Sequence, residues 1–167
     1  MNELPHEASL RIGRRSEPGA GYLITKCRLA GQQLSLAEPP VAQGIADSIH
    51  WHLERSLAYP LGFVVMPDHF HWVLVLGHER SLEEVMHGLS GAVWNAVRRA
   101  YGPRVGKVWQ DEYHDHRLRS DEWCWAKIQY VHENPVRKGL CARAEDWPWS
   151  TANPRFRGLI ATQYLRE

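Results

Sequence analysis

The chain has 167 residues, 44% of them hydrophobic and 23% charged, with a formal net charge of +1 and three widely spaced cysteines. That length suits one domain with a real core, and the composition points to no membrane span, secretory signal, disulfide frame or cysteine zinc site, so a cytoplasmic protein is expected. The small net charge argues against a bulk electrostatic nucleic-acid binder, but 7 Lys/Arg oppose 10 Asp/Glu over residues 1–97 (net −3) and 13 oppose 9 over residues 98–167 (net +4), so a phosphate backbone would meet the C-terminal half.

Residues 1–20 hold Gly, Pro, Ser and Arg without periodicity and read as a loose arm, in which Arg11, Arg14 and Arg15 are either solvated or touch phosphate. Residues 22–29 alternate well enough for a first strand. Pro39-Pro40 introduces a helix in which Val41, Ile45, Ile49 and Leu53 recur every four residues. His50-Trp51-His52 lies in this helix, where positions two apart diverge, so these imidazoles do not chelate together. Residues 61–76 read as two buried neighbouring strands, bracketed by Gly62 and Gly77 and punctuated by Pro67-Asp68.

Ser81 and Glu84 form a capping-box pattern, and Leu82, Val85, Met86, Leu89, Val93 and Val97 stripe a second helix. Arg98 and Arg99 close it, where positive charge suits the helix dipole. Residues 113–119 read as a fourth strand. The order βαββαβ predicts an α+β, ferredoxin-like fold: one four-stranded antiparallel sheet with two helices on one face and the other face open for binding. An additional C-terminal helix begins near Asp121 and runs through Trp125, Ile128 and Val131 toward Asn134-Pro135. The division expected is an arm over 1–20, a single domain over 21–150 and a tail over 151–167. Trp109, Trp123, Trp125, Trp147 and Trp149 lie among basic residues, where exposed rings could stack on unpaired bases.

His69-Phe70-His71 heads the second central strand. Side chains alternate faces along a strand, so His69 and His71 share one face and Phe70 points into apolar packing. Two imidazoles on a rigid floor can hold a metal ion, although so short a pattern also fits two ordinary hydrogen-bonded histidines. His114 and His116 have the same spacing in a strand and form a rival or neighbouring site. In the third helix Tyr130 and Asn134 stand one turn apart on one face, so a phenol and an amide oxygen can approach one metal or one phosphate. Pro135 disfavours helical geometry at Asn134, which sets the amide at a helix boundary as cap, ligand or both. Tyr130 taken alone reads equally as an aromatic packing the helix on the sheet.

Met-Pro-Asp-His-Phe-His at 66–71, Val-Trp-Gln at 108–110, Tyr-Val-His-Glu-Asn-Pro-Val-Arg-Lys-Gly-Leu at 130–140 and Trp-Pro-Trp-Ser at 147–150 resemble, in matching order, the REP-associated tyrosine transposases. These are single-tyrosine insertion-sequence transposases of the HUH endonuclease superfamily. The resemblance implies that His69 and His71 bind a divalent metal, magnesium or manganese, with Asn134 as third ligand and Tyr130 as nucleophile. It further implies hairpin-forming single-stranded DNA from repetitive extragenic palindromes as substrate, a 5′-phosphotyrosine link and a free 3′-hydroxyl as products of attack, and a ferredoxin-like fold. Arg98, Arg99, Arg117, Arg119, Arg137 and Lys138 are candidates for DNA contacts, with solvated surface the equal alternative for each. Monomer and homodimer are both compatible with the sequence.

Two other classes stay open. A four-stranded sheet of this kind also serves as a single-stranded nucleic-acid-binding module without turnover. A metal-dependent hydrolase using His69, His71 and the His114/His116 pair would cleave with water and leave no protein attached to DNA.

Overall fold

Phe70, Trp72, Leu74 and Leu76 alternate with His69, His71, Val73 and Val75, and a strand apolar on both faces belongs inside a sheet with a layer on each side. The structure, a computed structural model, has this arrangement and describes residues 15–119 and 121–165, the side chains of 121–123 apart; Arg11, Arg14 and the Trp123 side chain lie outside the described residues. The elements are β1 (Gly21–Cys27), α1 (Pro39–Glu54), β2 (Ala58–Val65), β3 (His69–Leu76), α2 (Leu82–Tyr101), β4 (His114–Arg117) and α3 (Asp121–Arg137), followed by short 3-10 turns. The strand order is β2-β3-β1-β4 with every neighbouring pair antiparallel. This is the ferredoxin-like α+β arrangement expected from the order of elements.

On one face, Ile24, Phe63, Phe70 and Trp72 pack under Ile45 and Ile49 of α1 and Val85, Leu89 and Val93 of α2. Prolines in the first turn of α1 forfeit no helical hydrogen bond. The four-residue stripe of α1 is buried through Ile49; beyond it His52 is buried and donates Nδ1–H to the Ser48 carbonyl at 2.7 Å. The capping box of α2 is complete: Glu84 N donates to Ser81 Oγ at 3.2 Å and Ser81 N to the Glu84 carboxylate at 2.8 Å.

The second face is less open than expected. α3 lies across β2 and β3, with Ile128 and Val131 against Leu61, Val64, Val73 and Val75. These residues are apolar on both sides of the contact, so burying them together removes surface from water that an open sheet would expose. Gly62 allows the close approach, since a Cβ there would meet Ile128 Cγ2 at 3.4 Å and His132 Nε2 at 3.5 Å. Beyond α3 the chain covers the free edge of β2: Val65 N donates to Trp149 O (2.8 Å), Thr151 N to Phe63 O (3.0 Å) and Ala161 N to Pro60 O (2.7 Å).

This packing also decides the tryptophans. Trp109 and Trp149 are buried, Trp147 is half-buried and donates its indole N–H to Val65 O at 2.9 Å, and Trp125 is exposed. Outside the group singled out from the sequence, Trp51 and Trp94 are exposed as well. Among the described residues no helix is long and apolar enough to cross a membrane.

Candidate active site

The register of β1 on β3 sets Thr25 opposite His71 and Cys27 opposite His69. His71 Nδ1 lies 2.8 Å from Thr25 Oγ1, and His69 Nδ1 lies 2.7 Å from Asp68 Oδ1. A ring whose Nδ1–H donates to a fixed oxygen carries its lone pair on Nε2 and is held against rotation. The two ring centroids are 4.7 Å apart on the α3 side of the sheet. Burial would by itself raise the Asp68 carboxyl, but the hydrogen bond and positive charge of His69 outweigh it and keep the carboxyl below its ordinary value. Thr25 and Asp68 are supporting residues that the sequence reading missed. Asp68 adjoins the histidine pair and was within reach; Thr25 is visible only once the strands are in register.

α3 brings Tyr130 to this pair. Its ring meets His71 edge-on at 5.7 Å between centroids, and the Arg137 guanidinium lies 4.4 Å from the centre of the Tyr130 ring. Arg137 also donates Nη2–H to the Tyr130 carbonyl at 2.7 Å, so the positive charge is tied to the nucleophile candidate's own backbone. The ring is nonetheless 45% exposed, which leaves it accessible. Asn134, one turn further along, is buried.

Asn134 is not at a helix boundary. α3 runs through Pro135 to Arg137, and Lys138 N donates to Asn134 O at 3.1 Å. A proline within the last turns removes one donor, and the buried stripe formed by Ile128, Val131 and Asn134 holds the helix against the sheet despite it. The helix ends instead at Arg137, and Gly139, with a φ of 69°, takes the left-handed position that follows a helix. The same helix is tied to β2 by His132, whose Nε2 lies 2.8 Å from Thr151 Oγ1, itself the acceptor for Phe63 N at 2.8 Å.

Burial lowers the pKa of His52, His71 and His132; for His71, burial with the neighbouring His69 charge brings it from 6.5 to about 4. A group whose pKa is lowered by folding binds its proton more readily in the unfolded chain. The metal-free protein is therefore expected to keep this stability above pH 6.5 and to lose it as pH falls toward about 4. Urea midpoints measured across that window should decline; a flat profile would mean that these rings are charged in the folded state.

The remaining candidates divide. Arg137 ends α3 beside Tyr130, and Lys138 follows it. Arg117 pairs with Glu17 and stands opposite Tyr22, whose side chain belongs to the α1/α2 side of the sheet; Arg119 is exposed just beyond β4. Arg98 and Arg99 end α2, in the layer opposite α3, and Arg98 stacks over Trp94 at 4.5 Å. His114 and His116 are separated from the histidine pair by β1, since Thr25 stands between His71 and His114. Among the described residues no three His, Cys, Asp or Glu side chains are grouped to hold an ion. A metal at His69 and His71 would draw its further ligands from an amide such as Asn134, from water or from substrate.

No family model matches the sequence. The chain is 26% identical over 93 residues to a REP-associated tyrosine transposase of Escherichia coli (strain K12), covering 53% of this chain and 51% of that protein. It is 31% identical over 58 residues, 35% of this chain and 32% of the relative, to a Haemophilus influenzae protein that carries the same family name provisionally. The chain thus spans about half the length of one curated relative and a third of the other. Among solved structures, a REP-associated tyrosine transposase bound to a REP hairpin superposes with a TM-score of 0.69 at 20% identity, covering 95% of this chain and 88% of that one. The resemblance read from the motifs is borne out in sequence, and the fold is shared with that structure.

Proposed function

We propose that this chain, similar to the REP-associated tyrosine transposases, is a single-stranded DNA endonuclease and strand transferase that acts on hairpin DNA through Tyr130. The observation that carries this reading is the edge contact of Tyr130 with His71, which joins motifs from β3 and α3 at one place. The ring contact lies within one chain, which supports Tyr130 serving its own histidines. The solved neighbour holds a REP hairpin, which supports hairpin DNA as the partner.

The donor set fits a divalent ion such as magnesium or manganese: Nδ1 of His69 and His71 is engaged by Asp68 and Thr25, so Nε2 of each would serve the ion, with the amide oxygen of Asn134 as third ligand. Bound there, the ion would polarise the scissile phosphate, its charge largely uncompensated by neutral ligands. Tyr130 Oη attacks phosphorus; the bond to the 3′-oxygen breaks, that oxygen takes a proton, and a 5′-phosphotyrosine and a 3′-hydroxyl result. Arg137 supplies positive charge beside the tyrosine ring as the anionic phosphate arrives. Phenolate leaves more readily than a sugar alkoxide, so another 3′-hydroxyl can attack the phosphotyrosine, rejoin a strand and free Tyr130 without a nucleotide cofactor.

Covalent capture tests the reading. End-labelled hairpin DNA with manganese should give a protein-DNA adduct on a denaturing gel with wild type and none with Tyr130→Phe. Cleavage that persists in Tyr130→Phe without an adduct would replace this mechanism by a hydrolase. Tight binding with neither cleavage nor adduct, across hairpins from the source genome, would favour a binding module.

A further inference from the structure

In an in-line displacement at phosphorus the attacking and leaving oxygens stand on opposite sides of the atom, so the place of the nucleophile fixes the direction of the leaving group. Tyr130 reaches the imidazole pair from α3, its ring edge-on to His71. The row of the sheet that contains His71 runs Val64, His71, Thr25, His114, with one residue from each strand. Val64 is buried in the apolar cluster beneath α3, Thr25 is half-buried and His114 is exposed. With Tyr130 as nucleophile, a scissile phosphate over the imidazoles has the phenol on its α3 side and its 3′-oxygen directed across β1 toward β4.

That oxygen leaves as an alkoxide unless it is given a proton, and histidine is the commonest side chain for such a transfer. Residues opposite one another on paired strands share a face, so His114 stands on the same face as Thr25 and His71. Neighbouring strands lie about 4.8 Å apart, which sets the His114 backbone about 10 Å from that of His71, within reach of an imidazole and a phosphodiester placed between them. Thr25 does not serve, since its hydroxyl is engaged 2.8 Å from His71 Nδ1. Cys27 lies in the row of His69, and His116 in the row of Leu23 and Val73, two residues further along β4. Arg137 lies over the Tyr130 ring, on the side of the nucleophile. Of these groups, His114 is the imidazole on the side of the leaving oxygen.

We propose that His114 is a catalytic residue of the cleavage step, its imidazolium giving a ring proton to the 3′-oxygen as the bond from phosphorus to that oxygen breaks. The inference rests on the reading of Tyr130 as the nucleophile of a strand transferase. Tyr130 Oη forms the new bond to phosphorus and its phenol proton passes to water, leaving a 3′-hydroxyl and a neutral imidazole. In strand joining the neutral imidazole takes the proton of the attacking 3′-hydroxyl, and the departing phenolate recovers a proton from water.

A bridging sulfur tests the assignment, because a thiolate leaves without needing a proton. Single-turnover adduct formation in manganese, with enzyme in excess, is followed on an ordinary hairpin and on the same hairpin with sulfur replacing the 3′-oxygen of the bond that wild type cleaves. His114→Ala should slow the reaction of ordinary DNA about a hundred-fold and react with the sulfur-containing DNA at the wild-type rate. His114→Gln, which keeps a hydrogen-bonding side chain but has no proton to transfer, should behave as His114→Ala does, and circular dichroism verifies that both variants are folded. An equal loss on both DNAs, as a purely structural role would give, or a wild-type rate of either variant on ordinary DNA, would overturn the proposal. Failure of wild type to form any adduct with ordinary DNA would sink the functional reading itself, whereas adducts formed at a rate independent of His114 would sink only this assignment.

Discussion

Replacing His71 by alanine is expected to lower manganese-dependent adduct formation by on the order of a thousand-fold, because a single strand imidazole is left to hold the ion. Thr25→Val is the more discriminating variant. It keeps the volume beside His71 but removes the oxygen 2.8 Å from Nδ1, so the ring is held less firmly while both imidazoles remain. Metal affinity by calorimetry should fall roughly ten- to a hundred-fold, the usual effect of losing an oxygen that orients a ligand histidine. Urea unfolding without metal separates that effect from a loss of fold. Wild-type manganese affinity in both variants would show that the ion, if bound, sits elsewhere.

Gly77→Ala should destabilise the protein by about 3 kcal/mol or more. A Cβ at Gly77 would lie 2.0 Å from the Ser56 carbonyl oxygen and 2.9 Å from that of Leu57. Neither obstacle is a side chain that can rotate away. Gly77 N donates to Leu57 O at 2.9 Å, so moving the backbone apart breaks the bond that ties the end of β3 to the turn between α1 and β2. Ser56 already has a φ of 55° and has little conformational room to yield. A urea midpoint close to wild type would mean that this turn repacks freely.

Much of the architecture was legible because it depends on neighbours in the chain. The two-residue alternation in β3 put both histidines on one face and Phe70 on the other, and the capping box marked the start of α2. The motifs around His69 and Tyr130 pointed to a shared site through a resemblance rather than through anything local. Proline chemistry at Asn134 gave the wrong local answer, since the packing of α3 on the sheet outweighs the preference of one residue before proline.

What only the tertiary structure decided is which surfaces meet. Thr25 supports His71 because β1 and β3 pair in one register, and a slip of one residue would put Thr25 on the other face. Arg98 and Arg99 share the basic C-terminal half with Arg137, yet α2 carries them to the opposite layer. Trp109 and Trp149 are buried while Trp94 and Trp125 are exposed, a division that composition cannot make. Within one turn or one strand, backbone geometry dictates which side chains are neighbours, so the sequence by itself determined the elements and the faces they present. Burial of apolar area is non-directional and sums over distant segments, so docking and register were decided only when the layers closed.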